Sequence, residues 1–166
     1  MSLTTYTTPA EVRAVLGVGA TELSDTAVLL PANGLHIDLA LEDIDAGVGT
    51  LFATVGAIAE NTRTKQQQRY YDLVRMFASY AVGKVLVATL PLFSVKSITD
   101  GRADFERNVD YYKDLREDLD GIYITLKERV SNSYAALVAG FTPEVREAFI
   151  HVQLSPLATD PVTNNA

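Results

Sequence analysis

Residues 104–137 read DFERNVDYYKDLREDLDGIYITLKERVSNSYAAL. Within this stretch Phe105, Val109, Tyr112, Leu115, Leu119, Ile122, Leu126, Val130, Tyr134 and Leu137 recur at intervals of three and four. Such spacing keeps one face of an α-helix apolar, so a single helix is expected from about Asp104 to Leu137. At 1.5 Å per residue a helix of about 34 residues is about 50 Å long. That exceeds the needs of a compact domain, and part of it is expected to meet a neighbouring subunit.

A second long pattern precedes it. From about Arg63 to Leu90, Tyr70, Leu73, Val74, Phe77, Ala81, Val85 and Ala88 repeat at helical spacing, and Pro91 stops the run. Ala, Ser and Gly inside this stretch imply close approach of other helices. The most apolar stretch, Met76 to Phe93, contains Lys84, is broken by Pro91 and falls short of the about 20 apolar residues of a membrane span, so no membrane partner is expected. Between the two patterns, Val95 and Ile98 sit in an extended-looking segment, and Asp100-Gly101 is a turn signal. The expectation is an all-α fold: a helical bundle with two long helices, a short hairpin or hook between them and an extended C-terminal tail.

Shorter elements fill the first 60 residues. Thr8-Pro9-Ala10-Glu11 combines a capping hydroxyl, a proline at the first helical position and a glutamate placed to complete a capping box. Val12, Val15 and Leu16 give that helix its apolar face, and Gly17 ends it. Ser24 or Asp25 can cap the next segment, which Pro31 should end or kink. Beyond Pro31, a helix would carry Leu35, Leu39 and Ile44 on one face, with Asp38, Glu42, Asp43 and Asp45 outward. Gly47, Gly49 and Gly56 weaken the segment through Ile58 and blur its boundaries. Near the end, Thr142-Pro143 repeats the cap logic and predicts a separate short helix carrying Val145, Phe149 and Val152. The last residues contain Pro156, Pro161 and two Asn with no periodicity. The expected division is a helical domain over residues 1–153 and an extended tail over 154–166.

Composition narrows the function. The chain holds 166 residues, 48% of them hydrophobic and 21% charged, as expected of one globular domain. It has no Cys, which excludes disulfides, a thiol nucleophile and thiolate zinc sites. His36 and His151 are its only histidines. With 14 basic and 21 acidic residues, a net −7, it is a poor candidate for wrapping DNA. The charge is uneven. Residues 1–60 hold Arg13 against eight acids, residues 61–100 six basic residues against two acids, and the remainder seven against eleven. An acidic first third and a basic central helix could pair between identical subunits, with Lys65, Arg69, Arg75 and Lys84 as the intersubunit basic face. The start of the chain, Met1 to Thr8, has neither the basic region nor the apolar core of a signal peptide.

Motifs for chemistry are missing. The chain contains no GxGxxG, GxxxxGK[ST], HExxH or GxSxG. Glu42, Asp43 and Asp45 lack the ligand alternation of a calcium loop and read as a solvated face. Asp114, Glu117, Asp118 and Asp120 do not share one face and also read as surface. His36 reads as a partly buried structural residue. In the pairs Tyr70-Tyr71 and Tyr111-Tyr112, the inner ring reads as core and the outer as boundary. No catalytic residue, cofactor or metal is assigned.

The order of features resembles the head-to-tail adaptor (connector) proteins of tailed bacteriophages. Three places carry the resemblance. They are Thr8 to Val18 with Glu22-Leu23-Ser24-Asp25 and the leucine-rich run interrupted at Pro31; Leu92 to Gly101, closing the central helix; and the long helix from Asp104 with Arg107 and Tyr111-Tyr112. The resemblance implies an α-helical bundle that assembles as a homo-oligomeric, twelve-fold ring beneath the portal protein. It implies a virion protein of the phage neck, made in the host cytoplasm. Its partners would be the portal and tail or further neck proteins, with double-stranded DNA passing through the channel without sequence-specific binding. The portal-docking tail would use Leu154, Pro156, Leu157, Pro161 and Val162, and the tail-side loop Val95, Lys96, Ile98, Asp100 and Gly101. Two other readings compete: a soluble helical partner-binding or regulatory module, and an enzyme using carboxylates such as Glu42 and Asp45.

Overall fold

Capping chemistry delimits the first elements. In the computed structural model, which describes the backbone of residues 2–88, 97–99, 104–106 and 109–154 and the side chains of 2–88 and 113–140, a one-turn helix α1 (Leu3–Tyr6) leads into α2 (Pro9–Leu16). Thr8 accepts the Glu11 amide while the Glu11 carboxylate accepts the Thr8 amide, a complete capping box. Gly17 closes α2 at φ 65°, a left-handed conformation that favours glycine.

Ser24 caps the short α3 (Asp25–Val28) by accepting the Ala27 amide. The helical run breaks ahead of Pro31 as expected, and Pro31 itself opens the next helix, α4 (Pro31–Glu42). At the first helical position its missing N–H had no intrahelical partner to lose, so the ring favours a start. The apolar face of α4 differs from the expected one. Ile37 and Leu41 are buried with Asn33, Gly34 and Ala40, whereas Leu35 and Leu39 are 59% and 55% exposed and Ile44 is half-buried. Apolar residues surround this helix, so periodicity could not choose a side. Asn33 helps to choose it: its buried side-chain amide donates to the Ala27 and Val28 carbonyls at 3.2 and 2.8 Å, holding residues 33, 37, 40 and 41 inward.

The glycine-containing segment is a helix, α5 (Val48–Ala57). Gly47 precedes it because a Cβ there would lie 2.1 Å from the Tyr134 hydroxyl. A 3₁₀ turn, Glu60–Thr62, leads to α6 (Lys65–Val87), which starts at a second capping box, Thr64 with Gln67. α6 is the hub: α1, α2, α4, α5 and the last helix all pack on it. Its buried residues include Tyr70, Val74, Phe77, Ala78, Ser79, Ala81, Val82 and Gly83. Small residues let α2 approach, and a Cβ on Gly83 would meet Val15 at 3.1 Å. Because so many elements surround it, the buried side turns towards Leu86 and Val87, and the expected Val85 and Ala88 are exposed.

Beyond it, strands β1 (Ser97–Thr99) and β2 (Asp104–Glu106) pair antiparallel, with Ile98 opposite Phe105. The last helix, α7 (Val109–Leu154), is 46 residues long. It begins after β2, not at Asp104, and continues through Pro143 instead of breaking into two. A Thr-Pro pair suits a helix start, but an interior proline forfeits one backbone bond without forbidding the next turn. At about 69 Å, α7 is twice the length of α6. The two long helices pack together through Leu119, Leu126, Val130 and Leu137. Ile122 is 41% exposed, and its neighbour Tyr123 turns inward to stack on Phe77 at 5.0 Å. The tail from residue 155 onward lies outside the described residues, and Leu154, expected to open it, ends α7.

Candidate interaction surfaces

The four cations assigned to a basic intersubunit face do not share one situation. Arg75 is 2.6 Å from Glu11, the capping glutamate of α2. Glu11 also accepts from the Thr7 hydroxyl, and the Thr7 and Ser79 hydroxyl oxygens lie 2.6 Å apart. Burial works against the charge of Glu11, but the Thr8 amide, the Thr7 hydroxyl and Arg75 together hold its carboxyl below the usual range. Lys84 lies 2.8 Å from Asp120 and 4.8 Å from the centre of the Tyr123 ring. Both residues therefore tie α6 to its own neighbours. Lys65 and Arg69 are exposed, and neither has a carboxylate partner among the described residues.

The acidic first third is largely engaged within the chain as well. Arg13 pairs with Asp25, Lys127 pairs with Asp43, and Asp45 accepts from the Gly47 amide at 2.7 Å and from the Tyr134 hydroxyl. Asp38 accepts the Tyr6 hydroxyl at 2.9 Å. Among the described residues no group of His, Asp and Glu is arranged to hold a metal ion. Asp43 and Asp45 are held by Lys127 and by Gly47 with Tyr134, and Glu42 is exposed. Asp114, Glu117 and Asp118 are exposed.

One structural device escaped the sequence pattern. Arg63 donates through Nε to the Val55 and Ile58 carbonyls and through Nη2 to Gly56, all at 3.0–3.1 Å, so it closes the C-terminus of α5. Its guanidinium lies 4.3 Å from the centre of the Tyr71 ring. Tyr71 stacks on Phe52 at 4.7 Å and 3°, and Phe52 meets Tyr6 at 5.2 Å. The available signal was an arginine just beyond an apolar helix, where a cation meets the negative end of the dipole. Tyr70 is buried and donates to the Val48 carbonyl at 2.7 Å. His36 is half-buried, and desolvation, then nearby Lys84, push its pKa down.

Two surface features remain open. The first is apolar: Leu29 and Leu30 at the head of α4, with Leu35 and Leu39 one turn apart along it, are 43–59% exposed. Leu39 is followed on that face by the exposed Glu42. The second is a pair of grooves on either side of Arg69 and Leu73. One, of about 420 Å³, runs along α6 past Lys65 and Met76, and the other, of about 310 Å³, lies between α6 and α7 beside Arg129, Ser133 and Leu137. The sequence-predicted docking residues lie mostly outside the described residues. Ile98 lies in β1, while Val95, Lys96, Asp100, Gly101, Pro156, Leu157, Pro161 and Val162 lie outside the described residues. Among the described residues no helix is long and apolar enough to cross a membrane. Comparison with protein-family models, curated proteins and solved structures finds no match to this chain.

Proposed function

We propose that this chain is a structural virion protein of a tailed bacteriophage, an adaptor whose ring joins the portal to the tail or neck and extends the DNA channel. The observation that carries the reading is the chain's order of elements. The chain runs through a capped N-terminal helix, a leucine-rich helix, a central helix, a short paired link and a very long helix, in the order of the sequence features on which the resemblance to the adaptor family rests. Four part-exposed leucines on and beside one helix add support, since such surfaces on small proteins mark contacts with other proteins. In this role packing and interface geometry carry the function, and no catalytic group, cofactor or metal is needed. The segment after α7, with Leu154 at its root, would reach the portal, and the link around β1 and β2 would face the next component.

The test is co-sedimentation with the portal protein of the same genome, and then electron microscopy of the pellet. A ring seated on the portal is the expected result, and absence of binding sinks the reading. Removing residues 155–166 should leave the helical circular dichroism unchanged and abolish docking. Normal docking by the truncated protein would remove the tail from the assignment. A second reading is favoured by Leu35 and Leu39, whose one-turn spacing is that of a helix presented to a groove: a soluble partner-binding or regulatory module.

A further inference from the structure

We infer that the chain binds a second copy of itself front to back, with the acid-flanked leucine ridge of α4 seated over the Arg69 grooves of α6 and α7. The inference rests on the proposed adaptor assembly and names the two surfaces that would meet.

The ridge is the apolar half of the match. Leu29, Leu30, Leu35 and Leu39 expose 43–59% of their surfaces, and none of them lines either groove. Covering two or three such side chains takes apolar surface out of water, which favours association against its entropic cost. The opposing surface supplies an apolar floor in Leu73, Met76 and Leu137.

Charge selects the partner. Residues 25–45 hold five carboxylates and no Lys or Arg. Asp25 and Asp43 are paired within the chain with Arg13 and Lys127, and Glu42 lies on the exposed face beside Leu39. The grooves carry the opposite sign: Lys65, Arg69 and Arg129 have no carboxylate partner among the described residues. The one carboxylate that lines them, Asp72, is held by the Gln68 amide at 2.9 Å. An acid-flanked leucine face therefore fits these grooves in both polarity and sign, and the chain carries such a face on its own α4. Nucleic acid would answer the three cations but not the leucines.

The two surfaces are different patches, so the contact is heterologous. Each added copy leaves one ridge and one groove open, and the assembly closes into a ring or extends as a filament. A ridge-to-ridge dimer would leave Arg69 and Arg129 unused.

The absence of cysteine permits a direct test. Leu39→Cys and Ser133→Cys proteins are prepared separately, checked by circular dichroism, and treated with a short bismaleimide, alone and mixed, at about 1 mM, a concentration that captures millimolar contacts. The expected result is a cross-linked heterodimer in the mixture and little product from either protein alone. Adding Arg69→Glu to the Ser133→Cys copy should lower the yield about tenfold, and adding Glu42→Arg to the other copy should restore much of it. Raising ionic strength from about 0.15 to about 1 M, which shortens the screening length from about 8 to about 3 Å, should lower the yield several-fold. Self-cross-linking of Leu39→Cys, or no product in the mixture, overturns the inference. Loss of portal binding with cross-linking intact removes the adaptor reading alone.

Discussion

The two ends of α6 show the same residue types under different rules. Towards its C-terminus, Arg75 and Lys84 each meet a carboxylate of a neighbouring helix, and Lys84 also lies against a tyrosine ring. In its first turns, Lys65 and Arg69 stand in open grooves with no such partner among the described residues. The difference comes from the elements that surround the helix. Where α2, α4 and α7 crowd α6, its cations are used to join elements of one chain. Where no described carboxylate faces the helix, they remain available to another molecule. Charge counted along the sequence could not separate the two groups.

Substitutions can break this contrast at several strengths. The largest loss is expected in the crowded part, where Phe77 is fully buried against Tyr123. Phe77→Ala should cost about 3–5 kcal/mol in urea denaturation. Arg63→Ala leaves the Gly56 and Ile58 carbonyls at the end of α5 without their side-chain donor, while Val55 keeps the Ile58 amide, and it removes the stack on Tyr71, for a loss of about 2 kcal/mol. Arg63→Lys should recover little of it, because an ammonium cannot reproduce the planar fork.

Acid should weaken the crowded part in two windows. His36 has a lowered pKa, so the unfolded chain binds its proton more readily. Stability is then full above about pH 6.5, the ordinary imidazole value, and falls as pH drops below it. Glu11 also has a lowered pKa, and its contribution is present above about pH 4.3 and lost below it as the folded carboxyl protonates. Denaturation midpoints measured from pH 8 to pH 3 should show both declines, and His36→Gln should flatten only the upper one.

Smaller effects sharpen the contrast further. Arg75→Gln should cost at most about 1 kcal/mol, since both partners of its ion pair are more than a third exposed. The double change Lys65→Gln and Arg69→Gln should shift stability by less than about 0.5 kcal/mol, as expected of unpaired surface groups. A loss of about 2 kcal/mol or more in that variant would show that these residues serve the fold and not a partner.

Local chemistry was readable wherever a residue acts through its nearest neighbours. The Thr8–Glu11 box, the Gly17 stop, the Ser24 cap and the apolar stripes of the two long helices all depend on bonds or spacings within a few positions. Ambiguity entered where one signal serves two structures. Pro31 suits the end of one segment and the start of the next, and the Thr142-Pro143 pair fits both a new helix and the continuation of α7. The surfaces were only partly legible. Of the four cations named together, Lys65 and Arg69 are exposed without a carboxylate partner among the described residues, but the engagement of Arg75 with Glu11 joins residues 64 positions apart.

By itself, the sequence determined a mostly helical chain, its caps and its long apolar stripes, because backbone hydrogen bonding and side-chain period act over a few residues. Tertiary structure decided which side of each helix is inside. α4 is apolar nearly all round, and the Asn33 latch together with packing on α6 buries Ile37 and Leu41 and turns Leu35 and Leu39 outward. On α7, Tyr123 rather than Ile122 faces Phe77. Burial depends on every element that approaches a face, and that information is distributed over the whole chain.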